Sequence, residues 1–169
     1  MKIILIGFMG AGKTAVAKKL SKKLDLPAVE MDDLILKKSG RKSINEIFAR
    51  DTELHFRELE IEVAKNLKKQ DNRIISTGGG IVMNKIIIDY LKAGSGKIIF
   101  LKSSFSEIKK RVGNSKKRPL FKNRKTALEL FNFRQQLYRK YADFVVRTDN
   151  KSIDAVADEI VNYLLIKKI

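Results

Sequence analysis

The apolar run Lys2-Ile3-Ile4-Leu5-Ile6 is followed at once by Gly7-Phe8-Met9-Gly10-Ala11-Gly12-Lys13-Thr14. This is the G-x-x-x-x-G-K-[ST] spacing of a phosphate-binding P-loop, set between a strand and a helix, and no other stretch constrains the fold as much. A buried strand must end there, and a loop must wrap an anion before a helix starts. The glycines free the backbone so that successive N–H groups turn inward. The helix that follows adds the positive end of its dipole. Lys13 supplies a full charge for the β- and γ-phosphates, and the Thr14 hydroxyl suits Mg²⁺. A chance glycine turn would not also carry the lysine, the hydroxyl and the strand–loop–helix order. The motif implies a bound nucleoside triphosphate.

A chain of 169 residues is expected to form one domain, 1–169, with a sizeable core. It has no cysteine, which excludes a disulfide framework and a thiolate metal site. No apolar stretch reaches membrane-spanning length, and a first strand at residues 2–6 leaves no room for a signal peptide. A cytoplasmic location without membrane partners is expected. The net charge of +17 raises nucleic-acid binding as an alternative. The lysines, however, are spread over predicted helix surfaces, as at Lys18, Lys19, Lys22, Lys23, Lys109 and Lys110. Few aromatics are interleaved with them, so no stacking platform and no nucleic-acid partner is expected. An anionic substrate explains positive potential equally well. Without an apolar heptad run, a monomer is expected.

Short β-rich runs alternate with helical stretches, which argues for an α/β fold with a parallel sheet between helical layers. Strands are expected at 2–6, 27–30, 73–76, 97–101 and 143–147, and helices near 12–24, 52–70, 83–93, 104–112, 124–141 and 152–167. Ser152 reads as an N-cap, with Asp154 in the first turn behind it. Two insertions stand out. One spans about 32–60; the other, 113–123, is polar and basic. At the carboxyl ends of parallel strands such segments become substrate cover and lid.

Further motifs follow the P-loop in order: Glu30-Met31-Asp32-Asp33, Phe56-Arg57, Ile75-Ser76-Thr77-Gly78-Gly79-Gly80, Arg118-Pro119-Leu120 and Leu137-Tyr138-Arg139. Together they resemble the shikimate kinase family over essentially the whole chain. The resemblance implies a three-layer α/β/α P-loop fold with a five-stranded parallel sheet. It also implies transfer of the ATP γ-phosphate, with Mg²⁺, to the 3-hydroxyl of shikimate on the route to chorismate. It places ATP on Gly10, Ala11, Gly12, Lys13, Thr14, Ala15, Arg111 and Arg118, and the metal on Thr14. Shikimate falls on Asp32, Arg57, Gly78, Gly79, Gly80 and Arg139, and catalysis on Lys13, Asp32 and Arg118.

The residue chemistry can be read beside that resemblance. Phosphoryl transfer to an alcohol needs a carboxylate to position the attacking hydroxyl. The family carries Asp-x-Asp after the second strand. Counting forward from Lys13 puts Asp32 on the hydroxyl and Glu30 on the metal side, whereas counting back from Phe56-Arg57 favours Asp33 and Met31. The forward count is preferred, because the P-loop helix resists insertion and Gly40-Arg41-Lys42 does not. Helix capping by Asp32 or Asp33 is the plainer alternative. Arg57 suits a substrate carboxylate through its planar fork, although Glu53 and Glu60 stand at helical pairing distance. His55, the single histidine, has no ligand partner at metal spacing and reads as an exposed helix residue. Ser76-Thr77 replace the acidic residue usual at the end of this strand in P-loop enzymes, and the loop between Arg147 and Ser152, where the resemblance places the adenine contact, lacks the proline often found there. The altered acidic pair leaves open another small anionic acceptor, such as a nucleoside monophosphate or a hydroxy acid. A basic nucleic-acid-binding module is a further alternative, and it leaves Arg57 and the triple glycine unexplained.

Overall fold

The structure, a computed structural model, describes residues 1–112 and 124–166. Among them, β1 (Lys2–Ile6), β2 (Ala28–Glu30), β3 (Arg73–Ser76), β4 (Gly96–Lys102) and β5 (Phe144–Arg147) form one sheet in the order β2-β3-β1-β4-β5. Every neighbouring pair is parallel. Parallel neighbours need long crossovers, and helices supply them. These are α1 (Lys13–Leu24), α2 (Met31–Ser39), α3 (Ile44–Arg50), α4 (Glu53–Lys68), α5 (Lys85–Lys92), α6 (Phe105–Val112), α7 (Arg124–Tyr141) and α8 (Ile153–Ile166).

Strand β1 lies in the middle, with Ile4 beside Ile75 on one side and Ile98 on the other. Both of its faces are covered, which is why it reads as an unbroken apolar run rather than an alternating one. Ile4, Ile6, Ile98 and Phe100 face the core under α4, α5 and α7. Ile3, Leu5, Ile99 and Leu101 face α1 and α8, against Val16, Leu20, Val156 and Ile160. Each such side chain contributes about 1.5–3 kcal/mol through removal from water. The buried Lys2 ammonium donates to the carbonyls of Leu67 and Lys68 at 3.3 and 3.2 Å, closing the last turn of α4.

The strands fall within a residue of the positions expected from sequence, and the expected helices fall within two. Ser152 caps α8 as read, its Oγ accepting from the Ala155 N–H at 3.1 Å. The insertion at 32–60 contains regular structure that the periodicity did not reveal, α2 and α3, ahead of the opening turns of the expected α4. Ser43 caps α3 by accepting from Glu46 N–H at 3.1 Å. Arg41 then clamps Asp51 at the far end of α3 with two bonds of 2.7 and 2.6 Å. The expected lid, 113–123 with Arg118, lies outside the described residues.

Candidate active site

The P-loop leaves β1 in a conformation that only glycine tolerates. Gly7 has φ 149°, and a Cβ there would sit 2.7 Å from the Leu101 carbonyl of β4. Gly79, in the loop after β3, comes close from the other side. Its Cβ would meet Met9 N at 3.3 Å, so the two loops are packed backbone to backbone. Gly12 opens α1 without a side-chain cap, which leaves that helix end suited to an anion. Lys13 is buried, and its ammonium donates to the carbonyls of Gly7 and Phe8 at 2.8 and 3.1 Å.

In front of the loop is a cavity of about 880 Å³. Gly10, Gly12, Lys13, Thr14 and Ala15 line one wall, with Glu30 and Asp32 beside Gly78 and Gly79. Ala11 is buried behind the loop. Strand β2 passes directly into α2, so that Asp32 and Asp33 fall inside the first helical turn and cap nothing. Successive helical positions diverge by about 100°. Both Asp32 and Asp33 are exposed, but only Asp32 lines the cavity. Water reaches Asp32 through the cavity mouth, but protein closes around its other sides. A Cβ on Gly78 would lie 3.1 Å from Asp32 Oδ1. That burial pushes the Asp32 carboxyl above the usual range, Lys13 pulls it down, and Asp33 adds a smaller push upward. Glu30 is raised as well, by burial first, against hydrogen bonding from Ser76 and Thr14.

The opposite wall carries cations. Arg57 meets Glu60 at 2.6 Å and Glu53 at 3.0 Å while its guanidinium faces the cavity, so the helical pairing and the cavity-lining position coexist. Glu60 is buried, and burial raises its pKa against the opposing pull of Arg57. Arg134 of α7 lines the same cavity. It is only 9% exposed, and its Nε has no hydrogen-bond partner among the described residues. Gly80 stands behind both arginines: a Cβ there would lie 3.2 Å from a terminal nitrogen of Arg57 and 3.6 Å from one of Arg134.

Arg139, expected from sequence as the second substrate arginine, is not brought to this cavity. It is exposed and lines a separate groove. The reason is helix phase. Ala127, Phe131, Arg134 and Tyr138 form the buried stripe of α7, at spacings of four, three and four, and Arg139 falls off it. A cation standing in an otherwise apolar stripe was the signal that Arg134 carried. Glu60 was similarly visible only as a helical neighbour of Arg57. His55 is partly exposed and lies 3.5 Å from Glu58.

At the other end of the cavity Arg111 is held rigidly. It donates to the Thr148 carbonyl at 2.8 Å, to the Thr148 and Ser103 hydroxyls at 3.2 and 3.3 Å, and to Glu107 at 3.1 Å. The Thr77 hydroxyl, where an acid is usual, donates to the Leu5 carbonyl at 2.8 Å and ties β3 to β1. Among the described residues, no three His, Asp or Glu side chains converge as a metal cage. The cavity does offer hard oxygen donors, Thr14 backed by Glu30 and Asp32, which fit Mg²⁺ bound together with nucleotide phosphates. No described helix is long and apolar enough to cross a membrane.

A phosphate loop on the central strand of a parallel α/β sheet, opening on a cavity with a carboxylate and clustered arginines, defines a P-loop kinase. A model of the shikimate kinase family matches residues 9–165. A shikimate kinase of Caldicellulosiruptor bescii is 36% identical over 169 residues, covering 98% of this chain and 96% of the relative. One from Aquifex aeolicus is 38% identical over 162 residues, covering 95% and 94%. Among solved structures, the Aquifex aeolicus shikimate kinase superposes with a TM-score of 0.88 at 36% identity, covering 100% of this chain and 99% of that one. Shikimate kinase from Acinetobacter baumannii in complex with shikimate gives 0.91 at 29% identity, covering 99% and 94%. The chain belongs to the shikimate kinase family.

Proposed function

We propose that this protein transfers the γ-phosphoryl group of ATP to the 3-hydroxyl of shikimate. The observation that carries this reading is the placement of Lys13, Asp32, Arg57 and Arg134 on one cavity. The P-loop amides and Lys13 hold the β- and γ-phosphates. Asp32 accepts a hydrogen bond from the attacking hydroxyl and fixes it in line. Arg57 and Arg134 grip the shikimate carboxylate, and Glu60 and Glu53 hold Arg57 in place. Shikimate lies against Gly78 and Gly79, where a bare backbone permits close approach. The nucleotide base packs toward Arg111. Arg118 is assigned to the transferring phosphoryl group, whose developing charge it offsets.

In the reaction, the bond from γ-phosphorus to the bridging oxygen of ADP breaks. A bond to the acceptor oxygen forms, and the hydroxyl proton passes to Asp32 or through it to water. Bound Mg²⁺ neutralises phosphate charge, and Thr14 with Glu30 and Asp32 nearby is the donor set that would hold it. A monomer suffices, because every group invoked comes from this chain.

The test is ADP release from Mg²⁺–ATP by the purified protein, with and without shikimate, and with Lys13→Ala as control. Strong stimulation by shikimate, lost in the variant, supports the reading. ATP binding without stimulation overturns it and points to another acceptor.

A further inference from the structure

Strand β4 alternates between the two sheet faces, and Lys102 falls on the same face as Phe100, which stacks on Tyr138 of α7 with ring centres 5.0 Å apart. Arg147 is the register partner of Lys102 on β5, so the two side chains share that face. Arg139, the residue after Tyr138, approaches from α7. Lys102 and Arg139 line a groove of about 450 Å³ that is separate from the kinase cavity, with Ser104, Asn132, Gln135 and Gln136 among others, and Arg147 neighbours Lys102 on the adjoining strand.

The charge of the groove is not neutralised from within the protein. Lys102, Arg139 and Arg147 make no ion pair with any carboxylate among the described residues, and 113–123 and 167–169 contain no aspartate or glutamate. The nearest acid, Asp149, is engaged by the Ser104 N–H at 2.9 and 3.2 Å. The side-chain amides of Asn132, Gln135 and Gln136 likewise make no hydrogen bond among the described residues. Like charges held together in this way oppose one another. Lys102 is pulled below the usual lysine range, by burial first and then by Arg139 and Arg147, with Asp149 opposing.

We infer that this groove is a second binding site, for a small organic phosphate: a phosphate monoester on a hydroxylated carbon skeleton. The monoester dianion answers the three cations, with the planar arginine forks suited to its oxygens. The three carboxamides answer the hydroxyls. The groove is too small for a folded partner and lies at the carboxyl ends of parallel strands, where α/β sheets take ligands.

The test is titration of the full-length protein with ribose 5-phosphate, in saturating Mg²⁺ and ADP so that the P-loop is occupied. It is followed through the NMR signals of the Gln135 and Gln136 side-chain amides and the Ser104 N–H. Saturable shifts are expected, with affinity weakened at least about tenfold in Lys102→Ala/Arg147→Ala. Arg147→Glu, a charge reversal at an exposed position, should do the same if the double variant folds poorly. No saturable shift, or one undiminished in both variants, overturns the proposal. So does an equal affinity for inorganic phosphate, which would mean charge alone, or preferential binding of an RNA oligomer with a steep salt dependence.

Discussion

The Tyr138 hydroxyl donates to the Gly79 carbonyl at 2.5 Å, tying the last turn of the long helix α7 to the glycine loop that forms the cavity floor. The ring itself is fully buried. Tyr138→Phe keeps the stacking on Phe100 and removes this bond together with the hydroxyl's interaction with Arg134. It is expected to cost about 1–2 kcal/mol in urea unfolding, because the Gly79 carbonyl loses its buried donor. The KM for shikimate should rise as the loop loosens. Burial also holds the phenol above its usual pKa of 10.0. The unfolded chain therefore gives up this proton before the folded one does, and stability from this group falls as pH rises above that value.

Arg134→Met is expected to raise the shikimate KM by roughly 30-fold or more, as loss of a charge-assisted pair would. Arg139→Ala, on the outer side of the same helix, should change it less than about twofold. Steady-state kinetics with shikimate varied at saturating ATP decides between them. The reverse ranking would mean that α7 presents a different face.

Asp32 is raised by burial, so the folded state binds its proton more tightly than the unfolded chain does. Stability from this group therefore falls as pH rises from the ordinary aspartate value of 3.8 through the folded pKa. Because Asp32 is open to water at the cavity mouth, Asp32→Asn is expected to melt at or slightly above the parent at neutral pH, with any gain vanishing in acid. Its kcat should fall by about 10²–10⁴-fold. A variant that loses both stability and activity would contradict this balance.

Gly79→Ala places a methyl group 3.3 Å from Met9 N, and that neighbour is backbone rather than a flexible side chain. The P-loop must shift by a few tenths of an ångström. The expected result is an ATP KM raised by about tenfold, with a stability loss of about 1–3 kcal/mol. Fluorescent-nucleotide titration and thermal melts measure the two effects separately.

What the sequence revealed and what it hid divide along a physical line. The P-loop and the strands are local: a run such as Lys2–Ile6 carries its own signal, and so does a glycine–lysine–threonine cluster. The stretch 32–60 hid α2 and α3 because each is short, and its order comes from packing on α4 and from the Arg41–Asp51 clamp. Asp32 and Asp33 cannot be told apart by counting when a loop downstream can absorb a residue; the start of α2 at Met31 separates them. Arg139 drew attention through the Leu137-Tyr138-Arg139 segment, yet helix phase, not motif adjacency, decides which arginine turns inward. Arg118 belongs to the segment outside the described residues.

The strand order has a consequence for how such an enzyme can diversify. The phosphate loop hangs from β1 in the middle of the sheet. Asp32 and the triple glycine follow β2 and β3 on one flank, whereas Ser103 and Thr148, which brace Arg111, follow β4 and β5 on the other. The carboxylate side of the cavity and the brace of Arg111 therefore hang from opposite flanks of the sheet, and Arg134, carried by the β4–β5 crossover α7, ties them together. A change on one flank reaches the other through that helix or through the central strand.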